Sequence, residues 1–148
     1  MRDAFFQTDP QEGALRPIPP HSRTRSSLHM KVRQSSKIRE IADALVATAY
    51  LTLDEQARAL GLARSTAWTI LQANHKSSGL SANVINRMLA APQLPPLVRV
   101  TILEYIDEKA AGLYGHSKLQ RCRFIARLDQ RAGHARTAAA AANHAASK

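Results

Sequence analysis

The polar side chains best suited to recognising a ligand lie close together, between residues 64 and 76. They are Arg64, Ser65, Thr66, Trp68, Thr69, Gln72 and Lys76. An arginine can donate two hydrogen bonds to guanine O6 and N7, and a glutamine can pair in a similar way with adenine N6 and N7. Hydroxyl groups near a helix start and a lysine in the following loop suit phosphate oxygens. These side chains could contact a nucleic acid if one side of a helix presented them together.

The other reactive side chains show no catalytic or metal-binding arrangement. The six histidines are scattered, without metal-ligand spacing or paired carboxylates nearby. No Ser/His/Asp order and no glycine loop for nucleotides is present. The single cysteine, Cys122, excludes an internal disulfide and a zinc site built from several cysteines. We therefore expect a protein that is not an enzyme, holds no metal or other cofactor and has no evident small-molecule effector.

The composition predicts that helices position these residues. Of the 148 residues, 45% are hydrophobic and only 5% aromatic, and alanine is very common, which favours helices over sheets. Apolar residues at helical spacing predict helices over about 36–49, 52–60, 64–72, 81–91, 95–111 and 116–132. Their expected N-terminal residues are Ser35 or Ser36, Thr52 with Glu55, Ser81, Pro95 with Pro96, and Ser117 with Gln120.

Each predicted helix has an apolar stripe that we expect to face a common core. The first helix presents Ile38, Ile41, Ala42, Leu45, Val46 and Ala49, and the fourth presents Val84, Ile85, Met88 and Leu89. The fifth presents Leu97, Val100, Leu103 and Ile106. The sixth has an apolar edge of Leu119, Cys122, Ile125 and Leu128, and its other sides are basic.

The net charge of +10 is concentrated toward the two ends of the chain. We expect a disordered basic arm over 1–35, a folded domain over 36–115, a basic amphipathic helix over 116–132 and an alanine-rich, low-complexity tail over 133–148. Basic flanks suit a polyanionic partner, because lysine and arginine displace counterions from a phosphate backbone. The alternative is that these flanks only keep the protein soluble.

Nothing in the sequence indicates contact with a membrane. The N-terminal residues MRDAFFQTDP include acids and a proline and do not resemble a signal peptide. The most apolar window, IADALVATAYLTL, is interrupted by Asp43 and is shorter than the ~18 apolar residues of a membrane span. We expect a soluble, cytoplasmic protein.

Ala57 and Gly61 have the types and spacing of two short helices that cross tightly. A glycine can adopt the positive φ required in the turn, and a small residue lets the second helix pack over the first. Buried contacts are expected from Leu53, Leu60, Leu62, Ala67 and Ile70. This pattern resembles the helix-turn-helix of the λ-repressor-like superfamily, including the LacI-type headpiece. The segment ARST, 63–66, is also typical of those proteins.

The resemblance extends over about 37–112, where one helix precedes the motif and two follow it. With the helical pattern it predicts an all-α fold, a compact bundle of about five helices containing a helix-turn-helix, with a basic sixth helix and disordered tails. Gln56 occupies a position that is usually apolar in the motif, and the helix near 81–91 does not fit the shorter LacI-type headpiece. We therefore extend the resemblance to the superfamily and not to a subfamily.

The resemblance implies sequence-specific binding of double-stranded DNA, in a bacterial or phage transcriptional regulator. The third helix would lie in the major groove, and two chains would pair on a near-palindromic site. Two alternatives stay open. One is a nucleoid, recombination or plasmid-maintenance factor that also binds DNA, and the other is a protein-interaction module such as an antitoxin or adaptor.

Structural roles compete for several of these residues. Ser65 or Arg64 can cap or solvate the third helix instead of contacting DNA. A tryptophan is more often partly buried than given wholly to a ligand. We therefore expect Trp68 to pack on the helix near 81–91, the alternative being contact with thymine methyl groups. Lys76 lies in a loop that can equally be an ordinary solvated one.

Overall fold

The computed structural model describes residues 21–72 and 77–130, and in these ranges the chain is helical without strands. The helices are α1 (His21–Ala47), α2 (Leu53–Ala59), α3 (Arg64–Leu71), α4 (Ala82–Leu89), α5 (Pro96–Ala111) and α6 (118–130). The predicted all-α fold with a sixth helix after the five-helix bundle is confirmed. In these same ranges no helix has the length and apolar character to cross a bilayer.

Helix α1 begins at His21, well before the start that we predicted at Ser36. The expectation of a disordered arm is wrong for residues 21–35, which are helical. Two of them, Arg33 and Gln34, have partners on α5. Gln34 is buried and donates to the Tyr105 hydroxyl, and Arg33 pairs with Glu108 at 3.0 Å. The spacing of apolar residues within one helix gives no information about such distant partners. Residues 1–20 and the tail from 131 lie outside the described ranges.

Local capping signals predict the starts of the later helices well. Thr52 and Glu55 form the reciprocal capping box, with Thr52 N donating to Glu55 Oε2 at 3.0 Å and Glu55 N to Thr52 Oγ1 at 3.3 Å. Ser117 and Gln120 form the same pair of bonds at the start of α6. The predicted roles of Ser81 before α4 and of Pro95 and Pro96 at the start of α5 are also confirmed.

The core lies between α1 and α5, with α3 packed on α1 and α2 packed on α3. Its fully buried side chains are Ile38, Ile41, Leu45, Leu60, Ile85, Met88, Val98, Ile102 and Tyr105. Burying an aliphatic side chain of this size contributes roughly 1.5–3 kcal/mol, so these contacts hold the bundle together. The predicted stripe of α1 is confirmed at its centre, although Val46 is exposed.

Helix α5 is rotated relative to our expectation. The predicted stripe is wrong for Leu97, Val100 and Leu103, which are about half exposed. The buried side consists of Val98, Thr101, Ile102, Tyr105 and Lys109. The helix has apolar residues on two sides, and periodicity cannot rank them. The side that packs is the one whose polar atoms find partners inside the bundle.

The apolar edge predicted for α6 is also wrong in part. Leu119, Cys122 and Ile125 are exposed, and Phe124 is the residue that packs into the core. Leu128 is partly buried against the core, as expected. Phe124 lies against the Lys109 ammonium, whose nitrogen is 4.4 Å from the ring centroid. A favourable cation–aromatic contact with α5 therefore helps select the side of α6 that packs.

Candidate nucleic-acid interface

The turn between α2 and α3 has the backbone that its sequence predicts. Gly61 has φ +63°, the Gly61 N–H donates to Arg58 O at 3.1 Å, and the Leu62 N–H donates to Ala57 O at 3.0 Å. This pair of bonds is the Schellman ending of a helix, in which the residue after the cap is left-handed. Ala57 is buried in α2, and the positive φ predicted for Gly61 is observed.

Gly61 also allows a close approach that the sequence did not indicate. A Cβ atom at this position would lie 3.0 Å from the Ala91 Cβ and 3.3 Å from the Arg87 carbonyl oxygen. The turn therefore packs directly on the C-terminal end of α4. A larger residue would strain the backbone and displace α4 together, so Gly61 ties the two short helices to the rest of the bundle.

Gln56, the polar residue at a usually apolar position, has a specific partner. Its Nε2 donates to the Tyr50 carbonyl oxygen at 2.8 Å. Tyr50 lies in the connection between α1 and α2, where the backbone lacks helical hydrogen bonds. The side chain thus satisfies a partly buried carbonyl and fixes the entry of the chain into α2.

One side of α3 is free of the bundle and contains most of the predicted contact residues. Ala67 and Ile70 are buried, and Thr66 and Leu71 are partly buried. The exposed residues are Arg64, Ser65, Trp68, Thr69 and Gln72. At 3.6 residues per turn these five share a single side of the helix. The structure thus brings them together, whereas Lys76 lies outside the described residues.

The expectation that Trp68 packs on the helix near 81–91 is wrong. Its side chain is 52% exposed and borders a surface depression formed with Leu53, Arg64, Ser65 and Thr69. The α4 side of α3 is taken by smaller residues, among them Thr66 and Ile70, which line a groove that reaches Val84. An indole therefore lies on the same exposed side as the arginine and the hydroxyl groups.

The N-terminus of α3 has no side-chain cap. Its cap residue is Ala63, whose methyl side chain cannot accept a hydrogen bond from the helix, and Ser65 lies inside the first turn. The Ser65 carbonyl instead accepts from the Thr69 hydroxyl at 2.9 Å. An uncapped helix start presents backbone N–H donors and the positive end of the helix dipole, both of which attract anions. The capping role considered for Ser65 is therefore not observed.

Arg64 has a partner that the sequence reasoning missed. Its Nε lies 3.3 Å from Asp54 Oδ1, in the first turn of α2, and both side chains are more than 60% exposed. An ion pair this exposed contributes at most about 1 kcal/mol. Arg64 can therefore leave Asp54 at small cost when a stronger acceptor is present. The signal for this pairing in the sequence was Asp54, an acidic residue in the first turn of α2.

A buried polar network holds the chain that follows the loop after α3. The Tyr105 hydroxyl accepts from Gln34 Nε2 at 3.2 Å and from the Leu80 N–H at 2.9 Å. The Lys109 ammonium donates to the carbonyl oxygens of Ser78 and Leu80, at 2.9 and 2.6 Å. Burial raises the pKa of Tyr105 to about 12 and lowers the pKa of Lys109 to about 8.

Gly79 lies at the centre of this network. Its φ is +69°, and a Cβ atom there would overlap Gln34 Nε2 and the Tyr105 hydroxyl. The sequence did not indicate these roles of Gly79 and Lys109. The sequence contained only weak signals for these roles: Gly79 precedes an apolar residue, and Lys109 lies four residues after a tyrosine. Gln34 had no signal at all, because it was placed in the arm.

A group of ion pairs at the surface of the bundle involves residues of α1 and α5. The hydrogen bond from Arg33 holds the pKa of Glu108 below its usual range, and Glu108 also accepts from the Tyr114 hydroxyl at 3.0 Å. Lys37 bridges Glu40 and Glu104 at 2.7 and 2.6 Å. These contacts join α1 to α5. Across the ranges that the structure describes, no three His, Cys, Asp or Glu side chains gather as metal ligands would.

Comparisons with known proteins identify no relative of the chain. No protein-family model, no curated protein and no solved structure matches the chain.

Proposed function

We propose that the protein binds duplex DNA through the exposed side of α3, with α2, the turn at Gly61 and α3 acting as a helix-turn-helix. The observation that carries the proposal is the shared exposed side of Arg64, Ser65, Trp68, Thr69 and Gln72. An arginine at the first position of the helix and a glutamine at its end suit the edges of guanine and adenine, respectively.

Two further features support a phosphate backbone beside this surface. The backbone N–H groups at the uncapped start of α3 can donate to a phosphate oxygen, and Ser65 and Thr66 lie next to them. The net charge of +10 supplies the general attraction to a polyanion. We propose Lys76 as a phosphate contact in the loop after α3.

We further propose that the protein acts as a transcriptional regulator of the λ-repressor-like type, by occupying its site as a homodimer. A single small domain buries too little surface on DNA for high specificity, so pairing on a near-palindromic site is expected. Leu97, Val100 and Leu103, which are about half exposed along α5, offer an apolar surface for pairing.

The first experiment is selection of bound sequences from a pool of random duplexes with the full chain. An enriched palindrome supports both the base contacts and the pairing. Arg64→Ala should then lose ~1–3 kcal/mol of binding on the selected site and discriminate less at one base pair. Lys76→Ala should weaken the selected and the scrambled duplex about equally, because a phosphate contact carries no sequence information.

Arg39→Ala is the matched control, since Arg39 is exposed on α1 and has the same charge. It should leave base discrimination unchanged. Arg64→Ala and Arg39→Ala should melt like the wild type, because both residues are exposed and contribute little to the core. If folded Arg64→Ala binds both duplexes as the wild type does, α3 does not read DNA.

One observation favours a second candidate, a protein-interaction module. Trp68 is half exposed beside Leu53, and exposed tryptophans are common anchors of protein interfaces. In that case Trp68→Ala would abolish capture of an acidic protein partner, and no duplex would be enriched from the random pool.

A further inference from the structure

A pocket of about 260 Å³ lies between the turn at 78–82 and α6. Four basic side chains line it: Lys109, His116, Arg123 and Arg127. No aspartate or glutamate is among its lining residues. Lys109 from α5 and the two arginines from α6 thus bring positive charge to one small volume, with the His116 ring beside it.

Lys109 is the deepest of these groups. Its side chain is only 5% exposed, and its ammonium contacts two carbonyl oxygens and the Phe124 ring. Within the described ranges no carboxylate lies within ion-pair distance of it. A buried charge without a counterion is costly, and burial accordingly lowers the pKa of Lys109. An anion entering the pocket would supply the missing counterion.

His116 has an unused nitrogen at the same place. Its Nε2 lies 3.0 Å from the Ser78 carbonyl oxygen, which can only accept, so Nε2 carries the proton. Its Nδ1 is buried and has no hydrogen-bond partner. Burial, together with the neighbouring Lys109 charge, lowers the pKa of the ring. An anion would reverse this effect by stabilising a proton on Nδ1.

We propose that this pocket is a binding site for a phosphate group, held by Lys109, His116, Arg123 and Arg127. A phosphate offers oxygens to several donors at once and matches arginine in geometry and charge. The N-terminal end of α4 at Ser81, which also borders the pocket, adds the positive end of its dipole. The site does not depend on base recognition by α3. The phosphate comes either from a free phosphate or phosphomonoester, or from the backbone of a duplex.

The test uses the full ¹⁵N-labelled chain and inorganic phosphate, at ionic strength held constant with chloride. We expect saturable shifts of the Ser81 and Ala82 amides and a rise in the pKa of the His116 ring, assigned with His116→Gln. Arg123→Gln combined with Arg127→Gln should weaken phosphate binding by about tenfold or more. Both arginines are exposed on α6, so the fold should persist. If the pair destabilises α6, Arg123→Gln alone replaces it.

Lys118→Gln is the matched control, because Lys118 is an exposed basic residue of α6 that does not line the pocket. It should change phosphate affinity less than about twofold. Shifts that grow without saturation, or that fall equally in Lys118→Gln and in the arginine variants, would overturn the site.

A second arm identifies the source of the phosphate group. If a duplex competes with inorganic phosphate in the wild type but not in the arginine variants, the pocket takes a backbone phosphate. If both bind together, it takes a free phosphate or phosphomonoester. A chain that binds phosphate and no duplex refutes the function proposed for α3 and leaves this site standing. A chain that binds a specific duplex without saturable phosphate binding does the reverse.

Discussion

The exposed side of α3 and the turn at 78–80 are neighbours in the sequence, yet polar groups serve opposite purposes in them. On α3 the polar side chains point away from the bundle, and Arg64 has a single exposed ion pair. At the turn, Tyr105 and Lys109 of α5 bond to backbone atoms of Ser78 and Leu80, and Gln34 of α1 donates to the Tyr105 hydroxyl. The first region makes few contacts and is free to bind a ligand, whereas the contacts of the second maintain the fold even though it also borders the pocket proposed for phosphate. Residue type alone does not separate them, because each contains an amide, a hydroxyl and a basic group.

The largest effect should come from the centre of the buried network. Gly79→Val combines a left-handed backbone with overlap on Gln34 and Tyr105, and we expect a loss of about 4 kcal/mol of unfolding free energy in urea denaturation. Ser77→Val is the control, since Ser77 is exposed in the same turn. It should change stability by less than about 0.5 kcal/mol. Equal effects of the two variants would remove the distinction between anchored and free segments.

Removing the buried ammonium should have a smaller effect with a distinctive pH dependence. Lys109→Met leaves the Leu80 carbonyl without its donor, which should cost about 2 kcal/mol at pH 7. The folded pKa of Lys109, about 8, is below its ordinary value. The group therefore contributes stability at high pH that is lost as pH falls through 8.

The difference in unfolding free energy between the wild type and Lys109→Met should therefore increase in favour of the wild type between about pH 8 and 9.5, by up to about 1.4 kcal/mol per pH unit. This window ends before Tyr105, whose pKa is about 12, begins to ionise. Lys118→Met, at an exposed position, should show no such slope. A difference curve that stays flat would mean that the Lys109 ammonium is not desolvated.

The smallest effect should come from the exposed ion pair beside α3. Asp54→Asn frees Arg64 and removes a negative charge from the proposed DNA surface, so duplex binding should strengthen by up to about 1 kcal/mol. Stability should change by less than about 0.5 kcal/mol. Asp43→Asn makes the same charge change at an exposed position of α1. If both variants strengthen binding equally, the effect is one of net charge and not of Arg64.

Local signals in the sequence determined where α2 to α6 begin and the form of the turn between α2 and α3. The capping pairs at Thr52 and Ser117, and the left-handed glycine at 61, involve atoms only a few residues apart. Such interactions are formed by the segment itself, so the residue types are sufficient to predict them. Helical periodicity likewise places Arg64, Ser65, Thr69 and Gln72 on the exposed side of α3. It did not decide the exposure of Trp68, which we expected to pack on the helix near 81–91.

Only the tertiary structure decided which side of α5 and α6 packs, where α1 begins and what Lys109 does. Leu97, Val100 and Leu103 satisfy a helical stripe as well as the side that is actually buried. The choice depends on Gln34 reaching Tyr105, 71 residues away, and on Lys109 reaching the turn at 78–80. Periodicity records only the spacing within one helix. The free energy that orients a helix comes from the partners that its polar atoms find across the bundle.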